Sequence, residues 1–267
     1  MVEIVTEDAT FKGHDGHEME LYVARPDSGK HPAIIVIHEV FGLNENIRDI
    51  TRRFAREGYT VFAPNLYSRK KDVLNEKNLE EGMKAFLSLS PERRGDKEAI
   101  AEATSSLSEN SRKAVEIVFS GRGLLEDEMT RDLLALYAHA NSSEHVLRDS
   151  IGATGFCLGG GMAFEFACAS PLKSVFVFYG RNPSLIDKIS GMTASYFAVY
   201  AGEDPGIDAG LPDLAAAMFR LKKNFGMKMY AGVLHGFFND TRQSFNKEAA
   251  EDAWKLALHH FGSTLGR

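Results

Sequence analysis

Cysteine is nearly missing from this chain of 267 residues: there are two, Cys157 and Cys168. They sit at either end of one candidate helix, too far apart for a mutual bridge, so no disulfide framework is expected and a reducing cytoplasm is the expected compartment. Long hydrophobic runs are missing as well. No stretch approaches the 18 or more apolar residues of a membrane span, and Met1 to Lys12 lacks the basic start and apolar core of a secretion signal. Positive charge is scarce. No basic run exceeds Arg69-Lys70-Lys71 and the net charge is −6, so neither nucleic acid nor an anionic membrane is an expected partner. Metal-ligand clusters are also lacking. His14 and His17 flank a glycine with no further Cys, His or carboxylate group to join them, which makes them solvated turn residues and leaves no metal expected.

What is present is the composition of an ordinary globular protein, 44% hydrophobic and 25% charged, long enough for one large α/β domain spanning residues 1–267. Residues 9–12 and 19–24 alternate apolar and polar around a His-Asp-Gly-His turn and predict an antiparallel hairpin. Ala33 to Ile37 is a continuous β-branched run, as for a strand buried on both faces. Asn44 can cap a helix presenting Ile47, Ile50, Phe54 and Ala55, with Gly58 as its stop, and Tyr59 to Ala63 is the next strand. Strand, helix, strand implies parallel pairing.

Between Leu66 and Leu147 the text changes: 27 of these 82 residues are charged, and no β-branched run occurs. Leu107, Ala114, Val115 and Val118 can share one helical face, as can Met129, Leu133, Leu136, Tyr137 and Ala140. A parallel crossover needs only a dozen or so residues, so residues 69–147 read as a helical insertion, either a cap over a site or an outer layer. Strands then follow at residues 151–154, 174–179, 195–200 and 227–233. Helical runs lie between them, one presenting Leu211, Leu214, Ala215, Met218, Leu221 and Phe225, and a last helix presents Ala250, Ala253, Trp254, Ala257 and Phe261. His259 and His260 are expected on its surface. The order predicts a doubly wound α/β fold, its sheet parallel apart from the first strands.

The candidate chemistry centres on Gly155-Phe156-Cys157-Leu158-Gly159. A buried strand turning sharply into a helix, with small residues two before and two after the apex, matches the nucleophile elbow with cysteine in place of serine. Cys157 is the candidate nucleophile, and the Leu158 amide at the helix start is a candidate oxyanion donor. Reactive residues in open parallel sheets gather beyond the C-terminal strand ends. Four candidates obey that rule: Glu39, Cys157, Asp204 and His235. Nucleophile, acid, histidine is the chain order this arrangement requires, although Glu203 or Asp208 could stand in for Asp204. The loop carrying the Val40 amide is where a second oxyanion donor belongs.

At these residues the chain resembles the dienelactone hydrolase family of α/β-hydrolases. The likeness rests on His38-Glu39-Val40-Phe41-Gly42, Pro64-Asn65-Leu66-Tyr67, Gly155 to Gly160, Gly202-Glu203-Asp204, His235-Gly236-Phe237, and a tail from Asn239 to Arg242 and on to Trp254. It implies a Cys157, Asp204, His235 triad, Glu39 touching the thiol, Val40 and Leu158 as oxyanion donors, and hydrolysis of a small ester or lactone through a thioester acyl-enzyme without metal or organic cofactor. It points to Phe41 and Phe237 as substrate contacts. Family members hold a substrate carboxylate with arginines, one of them four residues after the histidine. Asn239 stands there in this chain, leaving Arg242 or Arg69 as candidate replacements. The competing functions are a thioesterase or general carboxylesterase, and a ligand receptor without turnover. A thiol sensor lacks a resolving cysteine.

Overall fold

The structure, a computed structural model, describes residues 2–266. Strands β1 (Ile4–Lys12) and β2 (Glu18–Pro26) pair antiparallel as a hairpin. Strand β3 (His31–Ile37), helix α1 (Glu45–Arg56) and strand β4 (Thr60–Pro64) form the parallel unit read from the sequence. The Asn44 side chain accepts from Ile47 N at 3.3 Å to start α1, and Gly58, at φ 83°, lets the chain turn back. Helices α2 (Glu76–Leu87), α3 (Lys97–Thr104) and α4 (Glu109–Val115), a π-helical turn (Glu116–Ser120) and the 21-residue α5 (Arg122–Ser142) follow. The rest alternates: β5 (Val146–Phe156), α6 (Leu158–Ala169), β6 (Ser174–Phe178), β7 (Ser195–Glu203), the short α7 (Pro205–Asp208), α8 (Leu211–Arg220), β8 (Phe225–Leu234) and α9 (Lys247–Leu265).

These strands make one eight-stranded sheet in the order β1-β2-β4-β3-β5-β6-β7-β8, parallel from β4 to β8. Alternate side chains feed two cores. Ile35 and Ile37 of β3 join Met129, Leu133 and Leu136 of α5, Met162 and Phe166 of α6, and Leu214 and Met218 of α8 on one face. Ile34 and Val36 join Ile47, Ile50 and Phe54 of α1 and Ala253, Ala257 and Phe261 of α9 on the other. No described helix is long and apolar enough to cross a membrane.

Helix α5 packs on β5 and α6, so it is the ordinary crossover helix. The excess chain is the stretch from α2 through the π-turn. Arg69 marks where this chain leaves the sheet. Its guanidinium bonds Asp132 of α5 and, at 2.6 Å, Asp15 in the β1–β2 turn, and Asp132 also receives His14 Nδ1 at 2.8 Å. Arg69 is therefore spent on structure, and it is not the carboxylate ligand considered from the sequence.

Three further expectations are corrected. Leu107 lies in the turn between α3 and α4 rather than on a helical face. The α8 periodicity overruns the helix: Lys222 takes φ 51° and Lys223 N closes back on Met218 O at 3.0 Å, so Phe225 opens β8. His260 is buried, 3.2 Å from Ser195 O and packed on Phe176 and Phe197, while His259 is exposed.

Phe261 is fully buried, with its ring against Phe54, Tyr59 and Phe176. Truncation to alanine removes those contacts and leaves a void, a loss of about 3–5 kcal/mol. Urea unfolding of Phe261→Ala, followed by the fluorescence of Trp254 4.4 Å from Phe54, should show that loss. A change below about 1 kcal/mol would mean that the α9 seat is not part of the core.

Candidate active site

The elbow is built by backbone meeting backbone. β5 ends at Phe156, α6 begins at Leu158, and Cys157 between them is held at φ 54°, ψ −115°, a region that costs a non-glycine residue energy. Its amide is tied to Phe178 O at 3.1 Å. A Cβ on Gly155 would lie 2.0 Å from Gly159 O, and one on Gly159 would lie 2.3 Å from Ile37 O and 2.4 Å from His38 O. Only glycine permits the start of α6 to press against the end of β3. That contact brings the Leu158 amide, free of an intrahelical acceptor at the first helical position, beside the loop that follows β3.

That loop is set by His38, whose role the sequence did not disclose. The ring is buried, and burial pushes its pKa down to about 4. Neutral, it donates from Nδ1 to Glu39 O at 2.7 Å and accepts Leu66 N at Nε2 at 3.1 Å. Tyr67 Oη donates to Val40 O at 3.1 Å. With its carbonyl so fixed, Val40 lines the same cleft as Cys157 and Leu158.

His235 follows β8 by one residue. Its Nδ1 lies 2.5 Å from Asp204 Oδ2, and its ring lines the same cleft as the Cys157 thiol. Burial works against its cation, but the Coulombic pull of Cys157 and the hydrogen bond of Asp204 outweigh it and lift the pKa to about 11. Asp204, at the start of α7, is the acid that reaches the imidazole. Glu203 is exposed, and Asp208 is nearer Tyr200, its Oδ1 buried without a hydrogen-bond partner.

Glu39 is a buried carboxyl. Its Oε2 accepts Asn239 Nδ2 at 2.8 Å and Oε1 accepts Tyr179 Oη at 3.3 Å. Burial raises the Glu39 pKa, an effect only partly offset by Asn239, His235 and Tyr179. Asn239 thus anchors a buried carboxyl. Phe237 is fully buried between Tyr179 and Tyr230 and belongs to the core, not to a substrate surface. Phe41 and Arg242 stack on each other at 4.0 Å, and Arg242 bonds Glu80 of α2 at 3.1 Å. Neither Phe41 nor Arg242 lines the cleft that holds Cys157. Cys168 is half-buried, and burial pushes its thiol up to about 12, which makes it inert.

The cleft encloses about 220 Å³. Apolar cover comes from Met83 of α2, Val118 and Phe119 of the π-turn, and Ile207 of α7. Two arginines missed in the sequence also line it: Arg122 at the head of α5 and Arg181 after β6. Both are tied to the buried Glu126, Arg122 through Nε at 2.7 Å and Arg181 through Nη2 and, at 3.3 Å, Nε. One carboxylate between two guanidiniums leaves this wall positive. Gly121-Arg122-Gly123 reads in the sequence only as a helix break, so its arginine carries no signal of position.

Among the described residues, no three His, Cys, Asp or Glu side chains gather as a metal site.

The model of the dienelactone hydrolase family matches residues 19–265. The chain belongs to the dienelactone hydrolase family. Two relatives carry the name carboxymethylenebutenolidase. The protein of Saccharolobus solfataricus is 45% identical over 93% of this chain and 95% of its own length, and that of Synechocystis sp. is 31% identical over 91% of each. A dienelactone hydrolase structure from Klebsiella pneumoniae superposes with a TM-score of 0.74 over 97% of this chain and 99% of its own, at 23% identity. Brefeldin A esterase superposes at 0.66 with 12% identity over 99% of this chain and 78% of its own, a likeness of fold. The α/β-hydrolase fold and membership of a hydrolase family thus rest on sequence and structure together.

The neutral state of His38 gives a pH test. A free imidazole titrates near 6.5, His38 in the fold near 4. Between those values the unfolded chain binds a proton that the folded chain does not, so stability is full above about 6.5 and falls as the pH drops toward 4. His38 alone should remove up to about 3 kcal/mol across that window. Urea midpoints measured from neutral pH downward should fall less steeply in His38→Gln. An unchanged slope would mean that His38 is not held neutral.

Proposed function

We propose that this protein is a cysteine-dependent hydrolase of small carboxylic esters or lactones that works through a thioester acyl-enzyme. The carrying observation is the connected series Cys157, His235, Asp204 at the mouth of the cleft. His235 has its Nδ1 committed to Asp204, so Nε2 holds the proton drawn from the thiol and the thiolate sulfur attacks the carbonyl carbon. The oxygen gains negative charge and receives the Val40 and Leu158 amides. Collapse expels the alcohol or enol oxygen, which takes the proton from His235, and leaves the acyl group on sulfur. Water then attacks the thioester with His235 as base, the acid departs, and the thiol is restored. Asp204 keeps the imidazole oriented and stabilises its cation throughout.

The cleft walls set the substrate class within this reading. Arg122 and Arg181 supply charge-assisted donors within the cavity that holds the sulfur, and among the described residues no acidic side chain lines it. They are the counterparts in function of the arginines that hold a substrate carboxylate in the family, supplied from other positions in the chain. Met83, Val118 and Phe119 make the stretch from α2 through the π-turn a cap, which favours the cap over an outer layer.

Mixing the protein with an activated ester and weighing it tests the chemistry. A mass increase of one acyl group on Cys157, lost in Cys157→Ala together with at least about 10³-fold of turnover, is the expected result. An adduct elsewhere, or unchanged turnover, would remove Cys157 as nucleophile, and binding without product would favour a receptor. Rates on a dienelactone, a neutral ester and a thioester separate the substrate classes.

The arginine assignment is tested separately. Arg122→Leu should raise KM for a carboxylate-bearing ester by about 10-fold or more, the value of a charge-assisted hydrogen bond, while KM for neutral p-nitrophenyl acetate stays within about 2-fold. Equal losses on both substrates would indicate damage to the cleft and not a lost anion contact.

A further inference from the structure

We propose that two copies of this chain join edge to edge along β8, antiparallel across a two-fold axis, into one continuous sheet. β8 is the terminal strand, ten residues long and paired only with β7. Its outer row of backbone donors and acceptors meets no other strand among the described residues. Such an edge is a template for another chain, and soluble proteins commonly blunt it with charge. The opposite edge follows that rule: β1 presents Glu7, Asp8 and Lys12, all exposed. β8 does not. Its one charged residue, Lys228, is already paired with Asp252 of α9 at 2.6 Å.

The apolar surface beside this edge is continuous. Phe225, Met227 and Met229 alternate onto the α8 face of the strand, and the Phe219 ring at the end of α8 lies 5.1 Å from that of Phe225. Phe219 is 73% exposed and Met229 49%. Phe225 and Met227 are only partly buried against the core on that face.

The edge is complementary to itself. A two-fold axis normal to the sheet sets residues of like parity opposite each other, so an axis at Met227 or Met229 brings the two Phe-Met-Met rows together on one face. Lys228 would oppose its own copy only if the axis passed through Lys228 itself. With a bulge at Gly232 (φ 72°), the ten residues of β8 span about the length of eight, roughly 27 Å, and a helix layer about 10 Å thick on either side of the sheet makes this flank some 20–30 Å deep. That flank matches the roughly 800 Å² that each partner of a stable pair contributes. Pairing of this kind closes on two copies and leaves the charged β1 edges outermost.

Sedimentation of the full chain from low to high micromolar concentration tests the proposal. The expected species has twice the mass of the chain. Phe219→Lys combined with Met229→Lys should raise the dissociation constant more than about 100-fold by setting like charges across the junction, with turnover of p-nitrophenyl acetate retained as evidence of folding. Val5→Lys, at a 40% exposed position on β1, should leave association unchanged. The proposal fails if the wild type stays monomeric throughout, or if the double variant associates as the wild type does. Hydrogen exchange on the unmodified protein gives a readout independent of any variant. Amides of β8 should be protected at high concentration and lose protection on dilution, and protection that ignores concentration would place the junction elsewhere.

Discussion

The turn between β5 and α6 is the constraint on which the site depends. Sulfur reaches the cleft because Cys157 is held at a positive φ, and it is held there because the backbone around it has no room to relax. The start of α6 lies against the carbonyls of Ile37 and His38, so the same contact that strains the cysteine also fixes the distance between the two amides proposed to receive the oxyanion. Sheet, helix and loop are thus one mechanical unit. The burial of β3, β5 and β6 on both faces provides the rigidity that a strained residue needs in order to persist.

The site also shows how burial sorts neutral from charged groups. His38 is enclosed without an anion and remains a neutral imidazole that organises backbone. His235 is partly exposed and has both Asp204 and the thiol as neighbours, and the cation becomes its favoured form. The two rings differ in both depth and partners, and the anionic partners of His235 decide which ring carries the charge. Glu39 lies between these cases, a buried carboxyl held by the neutral donors Asn239 and Tyr179.

Much of this was legible in the residues. The parallel strands announce themselves as β-branched runs, and the four residues at strand ends were found because topology restricts where chemistry can gather. Order along the chain singled out an acid and a histidine, and the structure decided between Asp204, Glu203 and Asp208 by reach. Illegible features share one property: they depend on partners distant in sequence. Phe237 is a substrate contact by the family resemblance, yet Tyr179 and Tyr230 enclose it. Arg122 and Arg181 give no signal of position because their common partner, Glu126, cannot be assigned to them by spacing. Phe225 continues a helical period that Lys222 has already ended with its backbone.

Arg69 and Asp132 have a consequence for how this molecule can change. One leaves the sheet at the start of the helical excursion and the other lies within the helix that returns to it, and both are fastened to the same hairpin turn through Asp15 and His14. Departure and return therefore lie at one point. The stretch between them, including Met83, Phe119, Arg122 and Glu126, forms a closed excursion whose length does not alter the spacing of the strands beneath. Such an arrangement is modular: a lineage can lengthen, shorten or replace the roof over the sulfur while the catalytic floor keeps its dimensions. One ion cluster thus ties the start and the return of the helical excursion to the first hairpin of the sheet.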